Sequence, residues 1–175
     1  MAVRNFVNDV QNIMNSYLSL GNKLGDIHEK GQDKILFKGC GCYMVYSLDV
    51  ANHNGQLKGF EPFPFFSKNE KKLNAVNDYL IFAKHPKKNE IYVIIIELKQ
   101  KDNPNVQLWA GKQLSEFIIK RLNAVYGTKY KPKYRMLGCV SASHKAALKA
   151  DKIKYNKDGM CLKHFKAIVL EDLLH

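Results

Sequence analysis

Hydrophobic positions follow a helical spacing in two parts of the chain. Near the start, apolar residues recur every three or four positions, which predicts an amphipathic helix that ends near Gly21 or Gly25. Its apolar positions are Phe6, Val7, Val10, Ile13, Met14 and Tyr17. A second, longer helix is predicted over residues 105–122. Its packing stripe is expected to consist of Leu108, Gly111, Leu114, Phe117, Ile118 and Leu122.

Between and after these helices, runs of β-branched and aromatic residues predict strands. A strand within residues 35–50 is expected to be broken or bent at Gly39 and Gly41. Further elements are predicted in this order: an extended aromatic loop over residues 59–66, a strand over 134–141, a short helix over 143–152 and a final strand over 166–170. No repeat or linker divides the sequence, so we expect a single domain over residues 1–175.

The clearest strand pair lies within residues 78–99. Two apolar runs flank a short polar turn that contains proline and asparagine, a pattern typical of a β-hairpin. Side chains alternate along a strand, so Glu97 and Lys99 are expected on one face. If the turn is centred between residues 87 and 88, Asp78 lies directly opposite Glu97, with Cβ atoms about 5 Å apart.

Such a pair of carboxylates has a chemical consequence. They repel each other unless a cation or a proton lies between them, and with the Lys99 amine alongside they would suit a divalent metal and a phosphate. The alternative is a salt bridge at the strand edge. A site is favoured because residues 91–96 are almost continuously apolar, as in a strand buried on both faces, where a charged end needs partners. A register shift of one residue would send Asp78 to the other face.

The charge balance indicates an anionic partner. The formal net charge is +12 and the pI is about 9.5, which favours polyanions, with nucleic acid as the first candidate. Lysine outnumbers arginine, which suits contacts to backbone phosphates more than the reading of bases. Lysines alternate with tyrosines over residues 126–135, which predicts either a nucleic-acid contact or a solvated loop. The predicted contact residues are Lys129, Tyr130, Lys131, Lys133 and Arg135.

Cysteine spacing and hydropathy argue against a zinc site, a membrane span and a secretory signal. Cys40, Cys42, Cys139 and Cys161 lack a usual zinc spacing, so we expect reduced, mostly buried thiols. No apolar segment is long enough to span a bilayer, and the first residues lack the apolar core of a secretory signal. The sequence therefore predicts a cytoplasmic protein without a membrane partner.

An aspartate, a hairpin and then Glu-Leu-Lys resemble the core of the PD-(D/E)XK nuclease superfamily, over roughly residues 76–122. The resemblance implies an α/β fold of the restriction-endonuclease-like type, an αβββαβ core whose central mixed sheet is flanked by helices. It implies a metal-dependent nuclease, with an endonuclease acting on DNA expected ahead of RNA, in restriction, phage defence, repair or recombination. Many members of this superfamily act as homodimers.

The resemblance also assigns roles. Asp78 and Glu97 would bind Mg²⁺, for which Mn²⁺ can substitute, and Lys99 would position or activate the attacking water. The backbone carbonyl of Leu98, waters and the scissile phosphate would complete the metal shell. The glutamine that follows on the next helix in this superfamily would be Gln113, with Gln107 as the alternative.

The acid that many members carry on their first helix has no clear counterpart. No glutamate precedes Glu29, which is the first choice, and Asp9 or Asp26 are alternatives. This gap fits a second function, a nuclease-like module without catalysis that binds nucleic acid in a partner complex. The intact set of Asp78, Glu97 and Lys99 argues against it. A third interpretation is an unrelated basic α/β domain that binds RNA.

Overall fold

The computed structural model describes residues 5–22, 26–27, 35–39, 41–48, 75–99, 103–140, 153–163 and 167–175. Its helices are α1 (Phe6–Ile13) and α2 (Asn105–Tyr126), and short 3₁₀ turns cover Ser16–Leu18 and Leu170–Leu173. The strands are β1 (Ser19–Gly21), β2 (Asp26–Ile27), β3 (Ile35–Lys38), β4 (Tyr43–Ser47), β5 (Tyr79–Lys84), β6 (Ile91–Lys99), β7 (Lys133–Val140), β8 (Met160–Lys163) and β9 (Ala167–Val169).

A six-stranded mixed sheet forms the centre of the fold, in the order β1-β4-β5-β6-β7-β8. Strands β1, β4, β5 and β6 pair antiparallel, whereas β6, β7 and β8 pair parallel. The helix α2 connects the parallel neighbours β6 and β7, as a parallel pair requires a crossover. A second sheet has the order β2-β3-β9. The prediction of an α/β fold with a central mixed sheet is therefore confirmed.

Both faces of the large sheet are covered, but by different elements. Side chains of α1 and α2 pack on one face, which we call the helix face. The opposite face packs against Phe37 and Ile168 of the small sheet and against the turn at Leu170–Leu173. In the described part of the chain both helices thus lie on one face, whereas helices flanking the sheet were expected.

Strand β6 lies in the middle of this arrangement. Val93 and Ile95 project into the helix face, and Ile94 and Ile96 project into the opposite core. All four are fully buried, as the continuous apolar run predicts. Burying side chains of this size contributes roughly 1.5–3 kcal/mol each, so β6 is the element about which both cores are organised.

The register of the hairpin is the one predicted from the sequence. Tyr79 pairs with Ile96 and Lys84 with Ile91, which centres the turn between residues 87 and 88. In the turn, the backbone N–H groups of Lys87 and Lys88 both donate to Nδ1 of His85, each at 3.0 Å. The same register sets Asp78, the residue before β5, opposite Glu97.

The start of the chain differs from its prediction. Helix α1 ends at Ile13, not near Gly21 or Gly25, because Met14 adopts an extended conformation. The side chain of Asn15 then caps the following 3₁₀ turn. Tyr17, which continued the helical spacing, lies in this 3₁₀ turn, and the residues after it form β1, which pairs with β4. Pairing with the sheet edge outweighs a weak local preference for helix.

The long helix is correctly placed but its buried stripe is partly different. It continues to Tyr126 and ends at Gly127, which has a left-handed φ of 62°, as expected of a helix-terminating glycine. Phe117 was expected to pack, but it is 61% exposed. Ser115 and Ile119 are buried instead, because the stripe follows steps of three and four residues from Leu108.

Other predicted strands agree with the structure. The run over residues 35–50 is divided into β3 and β4 around Gly39 and Gly41, and β7 and β9 match the two later strands to within one or two residues. Strand β8 was not predicted. The aromatic loop over residues 59–66 and the short helix over 143–152 lie outside the described residues. Neither described helix has the length and apolar content needed to cross a bilayer.

A glycine sets how closely α2 approaches the sheet. A Cβ built at Gly111 would lie 2.7 Å from Cγ of Asn77 and 2.7 Å from Cγ2 of Ile95, and closer still to Oδ1 of Asn77. Asn77 is itself 1% exposed, and its Nδ2 donates to the carbonyl of Tyr79. The missing side chain at Gly111 therefore lets α2 pack directly on the residues that precede and neighbour Asp78.

We predict that Gly111→Ala destabilises the protein, although glycine to alanine in a helix normally stabilises by about 1 kcal/mol. Overpacking costs about 1–3 kcal/mol and should outweigh the gain, which denaturant unfolding would measure. In an Asn77→Ala background, which removes the contacts with Asn77 but leaves the one with Ile95, the same substitution should destabilise the protein less. Stabilisation by Gly111→Ala alone would contradict this packing.

Candidate functional site

Asp78 is fixed by both neighbouring strands. Its Oδ2 accepts a hydrogen bond of 2.7 Å from the backbone N–H of Leu98 in β6. Its carbonyl accepts one of 2.9 Å from the backbone N–H of Leu48, which follows β4. The carboxylate thus continues the hairpin ladder by one step beyond β5, since a side-chain oxygen takes the place of a backbone acceptor.

Glu97 lies one residue before Leu98 and is only 3% exposed. By alternation from Val93 and Ile95, its side chain lies on the helix face. Its neighbour in β7 is Gly138, where a Cβ would come within 2.6 Å of Cγ of Pro104. The glycine allows the start of α2 to close over this end of the sheet, which is why a carboxylate is buried there.

The two carboxylates share the helix face. Asp78 precedes Leu80 by two positions in the chain, and Leu80 packs on that face. Continued by one residue beyond the pair of Tyr79 and Ile96, the hairpin register opposes Asp78 to Glu97. Asp78 and Glu97 also act together on Cys139, whose thiol pKa is raised mainly by burial and further by the charges of both carboxylates.

That effect on Cys139 decides its chemistry. The thiolate is the form that binds metals or attacks electrophiles, and a raised pKa keeps this thiol protonated at neutral pH. Cys139 and Cys161 are free and buried, and Cys42 is free and half-buried. These three agree with the prediction of reduced thiols, and Cys40 lies outside the described residues.

The donors available to a metal are oxygen atoms. In a strand, the N–H and C=O of one residue point to the same neighbouring strand, so the Leu98 carbonyl is directed to the side from which Asp78 accepts. Two carboxylates and one carbonyl fit Mg²⁺, which is usually bound by one or two carboxylates with waters and substrate phosphate completing its shell. Within the described residues no three or more histidine, cysteine, aspartate or glutamate side chains gather into a metal-binding group.

For three residues predicted as members or alternatives of the site, the side chain lies outside the described part of the structure. The backbone of Lys99 ends β6 and pairs with Val140 of β7, and its side chain lies outside the described part. Glu29, the weak candidate for a further acidic ligand, and Asp26 as a side chain lie outside it as well.

The glutamine predicted to point inward does not do so. Gln113 is exposed, and at 100° per residue it lies on the side of α2 opposite the stripe of Leu108, Gly111 and Ser115. Its expected position beside that stripe was therefore wrong, because the stripe is centred away from Leu114 and Phe117. Gln107, the alternative, is half-buried.

Asp9, the other alternative for the acid of the first helix, contacts a residue that is distant from it in sequence. Its Oδ2 accepts a hydrogen bond of 2.8 Å from the hydroxyl of Tyr130, and the Tyr130 ring packs edge-on against Phe6 at 5.1 Å. The side chain of Asn123 accepts from the Tyr130 N–H at 2.8 Å and donates to its carbonyl at 3.0 Å. Tyr130 is thus built into the contact between α1 and the segment after α2, and its ring is not free to stack on a base.

Two of the charged residues of the same segment, Lys133 and Arg135, also have partners. Lys133 forms an ion pair of 2.7 Å with Glu90, and the hydroxyl of Tyr92 donates to Glu90 at 2.6 Å. Lys133 first, and then Tyr92, lower the Glu90 pKa to about 2. The guanidinium of Arg135 lies 4.7 Å from the ring centre of Tyr155. Lys129 and Lys131 are exposed.

This basic segment lies at the other end of the sheet from the carboxylates. Lys133 pairs with Tyr92 in β6, five residues before Glu97. At about 3.3 Å per residue, the two regions are roughly 17 Å apart along the strand. The structure brings together Asp78, Glu97 and Leu98, and it does not bring the residues over 129–135 to them.

Asn77 also belongs to this region, although no role was predicted for it from the sequence. It is buried beside Gly111, and its Oδ1 has no hydrogen-bond partner among the residues that the structure describes. By holding the carbonyl of Tyr79 it fixes the chain at the start of β5, and so it positions Asp78. A polar side chain directly before the predicted acid was the only signal in the sequence.

No protein-family model, curated protein or solved structure matches this chain. The assignment of function therefore depends on the geometry of the site and on the sequence motif.

We predict that Tyr130→Phe lowers the melting temperature, because it removes the hydroxyl that Asp9 accepts from and leaves a buried carboxylate oxygen short of a donor. The loss should be about 1–3 kcal/mol in thermal or denaturant unfolding. Lys131→Ala is the control from the same segment, and it should change stability by less than about 0.5 kcal/mol. Equal stabilities of the two variants would contradict a structural role for Tyr130.

Proposed function

We propose that this protein is a Mg²⁺-dependent nuclease of the PD-(D/E)XK type that hydrolyses phosphodiester bonds in DNA, with endonuclease action favoured. One observation carries the proposal: the Asp78 carboxylate is held by the Leu98 N–H in the register that opposes it to Glu97. Two carboxylates and a backbone carbonyl at one strand end form the donor set that a hard divalent cation prefers.

The order of elements supports the same proposal. After the opening helix α1 and the strands β1, β2 and β3 come the antiparallel set β4, β5 and β6, the crossover helix α2 and the parallel strand β7. The order from β4 to β7 is compatible with the αβββαβ core that the resemblance implies. In this proposal, the acid that precedes β5 and the Glu-Leu-Lys that ends β6 correspond to the acidic and lysine positions of the motif.

Each residue of the proposed site would have its own role. Asp78 and Glu97 would hold the ion, and the Leu98 N–H would keep the Asp78 carboxylate oriented. Burial of Glu97 lowers the local dielectric, which strengthens its interaction with a cation. When bound, Mg²⁺ supplies Lewis acidity and positive charge that stabilise the transition state at phosphorus. Lys99 would orient the attacking water or neutralise the phosphate.

Charge supports a nucleic-acid substrate. A net charge of +12 attracts a polyanion through steering and counterion release. DNA is proposed ahead of RNA on the resemblance alone. The alternative is a nuclease-like module that binds nucleic acid without cutting it, and the experiment below separates the two.

The test is cleavage by the purified chain of supercoiled plasmid, single-stranded DNA and RNA of matched sequence, with Mg²⁺, with Mn²⁺ or with EDTA. We predict metal-dependent nicking that Asp78→Asn and Lys99→Ala reduce by at least about 100-fold. Asparagine can still accept from the Leu98 N–H, so Asp78→Asn should fold normally. Both variants should retain DNA in EDTA as well as the wild type.

The controls match each change at an exposed position. Asp158→Asn removes a carboxylate in the turn before β8, and Lys87→Ala removes a lysine in the hairpin turn. Both should cut as the wild type does. Salt-sensitive DNA retention without cleavage would favour the binding module, and undiminished cleavage by Asp78→Asn and Lys99→Ala would refute the site.

A further inference from the structure

A depression of about 650 Å³ lies where the end of α1, the first 3₁₀ turn and β1 meet β4. Its rim carries the amides of Asn8, Gln11 and Asn12 and the hydroxyls of Ser16 and Ser19. Small-molecule sites commonly have volumes of about 300–1,000 Å³, so a group as large as a nucleoside fits.

Tyr46 from β4 also lines this depression. It is 1% exposed, and its buried hydroxyl has no hydrogen-bond partner in the part of the chain that the structure describes. Burial raises its pKa to about 12, so the hydroxyl stays protonated and can both donate and accept. Buried polar groups are nearly always paired, and since no described residue pairs with this hydroxyl, a ligand in the depression is a candidate partner.

The chemistry of the lining selects a neutral ligand. The described lining residues include no charged side chain, although the chain carries a net charge of +12. A phosphate would instead be expected to attract lysine or arginine. Amide side chains present a donor beside an acceptor, which is the pattern that asparagine and glutamine use to recognise the edges of bases.

One lining residue, Tyr46, lies close to Asp78 along the sheet. Tyr46 pairs with Leu80 in β5, and both belong to the helix face on which Asp78 and Glu97 lie. Leu80 is two residues beyond Asp78, about 7 Å along the strand. One nucleic-acid strand could therefore place a phosphate at the carboxylates and a nearby base at Tyr46.

We propose that this depression, which we call the amide pocket, binds a nucleobase, donated by an unpaired or flipped-out nucleotide of the strand that is cut. Its role beside a cleavage site rests on the proposed nuclease function, whereas base binding itself does not. Recognition of unpaired bases through their hydrogen-bonding edges is the usual way in which proteins read single strands and flipped nucleotides.

The test compares binding of a fluorescent single-stranded oligonucleotide with binding of an abasic oligonucleotide of equal length, by anisotropy in EDTA. The wild type should prefer the strand with bases by about 5-fold, as one or two hydrogen bonds would give. Tyr46→Phe and Asn12→Ala should remove this preference and leave the affinity for the abasic strand unchanged. Asn89→Ala, an exposed asparagine in the hairpin turn, is the matched control and should behave as the wild type.

Stability provides a second measurement. Tyr46→Phe keeps the ring and removes an unpaired buried hydroxyl, so its melting temperature should equal or exceed that of the wild type while base preference is lost. A variant that lost base binding only by unfolding would melt lower instead.

The source of the base is tested with adenosine, guanosine, cytidine and thymidine at millimolar concentration. If they raise the melting temperature of the wild type but not of Tyr46→Phe, the pocket binds bases. A preference for the oligonucleotide with bases over the abasic one then shows that the base can belong to a nucleic-acid strand. If the wild type prefers neither bases in a strand nor nucleosides, the proposal is overturned. Metal-dependent cleavage without base preference would refute the amide pocket alone, and base preference without cleavage would refute the nuclease alone.

Discussion

The register between β5 and β6 is the constraint on which the remaining structure depends. It lets the Leu98 N–H reach the Asp78 carboxylate at 2.7 Å, and it buries β6 on both faces. A slip of one residue would move every side chain of the strand to the other face and would carry the Glu97 carboxylate into the apolar core on the opposite side of the sheet. The hydrophobic cores therefore specify the register, and the register places two carboxylates at one strand end, so the geometry of the site is a consequence of packing.

The hairpin could be predicted because its information is local. Two apolar runs and a short turn define its centre, and the continuous run over residues 91–96 predicts burial on both faces. The features that could not be predicted depend on distant contacts. Helix α1 ends at Ile13 because β1 pairs with the sheet edge, and Gln113 is exposed because the stripe of α2 is set by its approach to Asn77 and Ile95. Neither contact is visible in a helical period.

The basic segment and the neutral depression occupy different parts of this molecule. The basic segment over residues 129–135 lies roughly 17 Å along the strand from Glu97, and several of its members are engaged by Glu90, Asp9 and Tyr155. The helix face near Asp78 instead has a neutral, amide-lined depression. A substrate held by diffuse positive charge and oriented by an unpaired base would use both properties. The composition alone indicated only the positive charge.

The most direct measurement of the central claim is the anomalous diffraction of crystals soaked in Mn²⁺. We expect one strong peak between the carboxylates of Asp78 and Glu97, at about 2.0–2.3 Å from an oxygen of each. Asp78→Asn crystals treated in the same way should lose the peak while the hairpin register is unchanged. An ion bound elsewhere, or no bound ion at a Mn²⁺ concentration that supports full activity, would contradict the assignment.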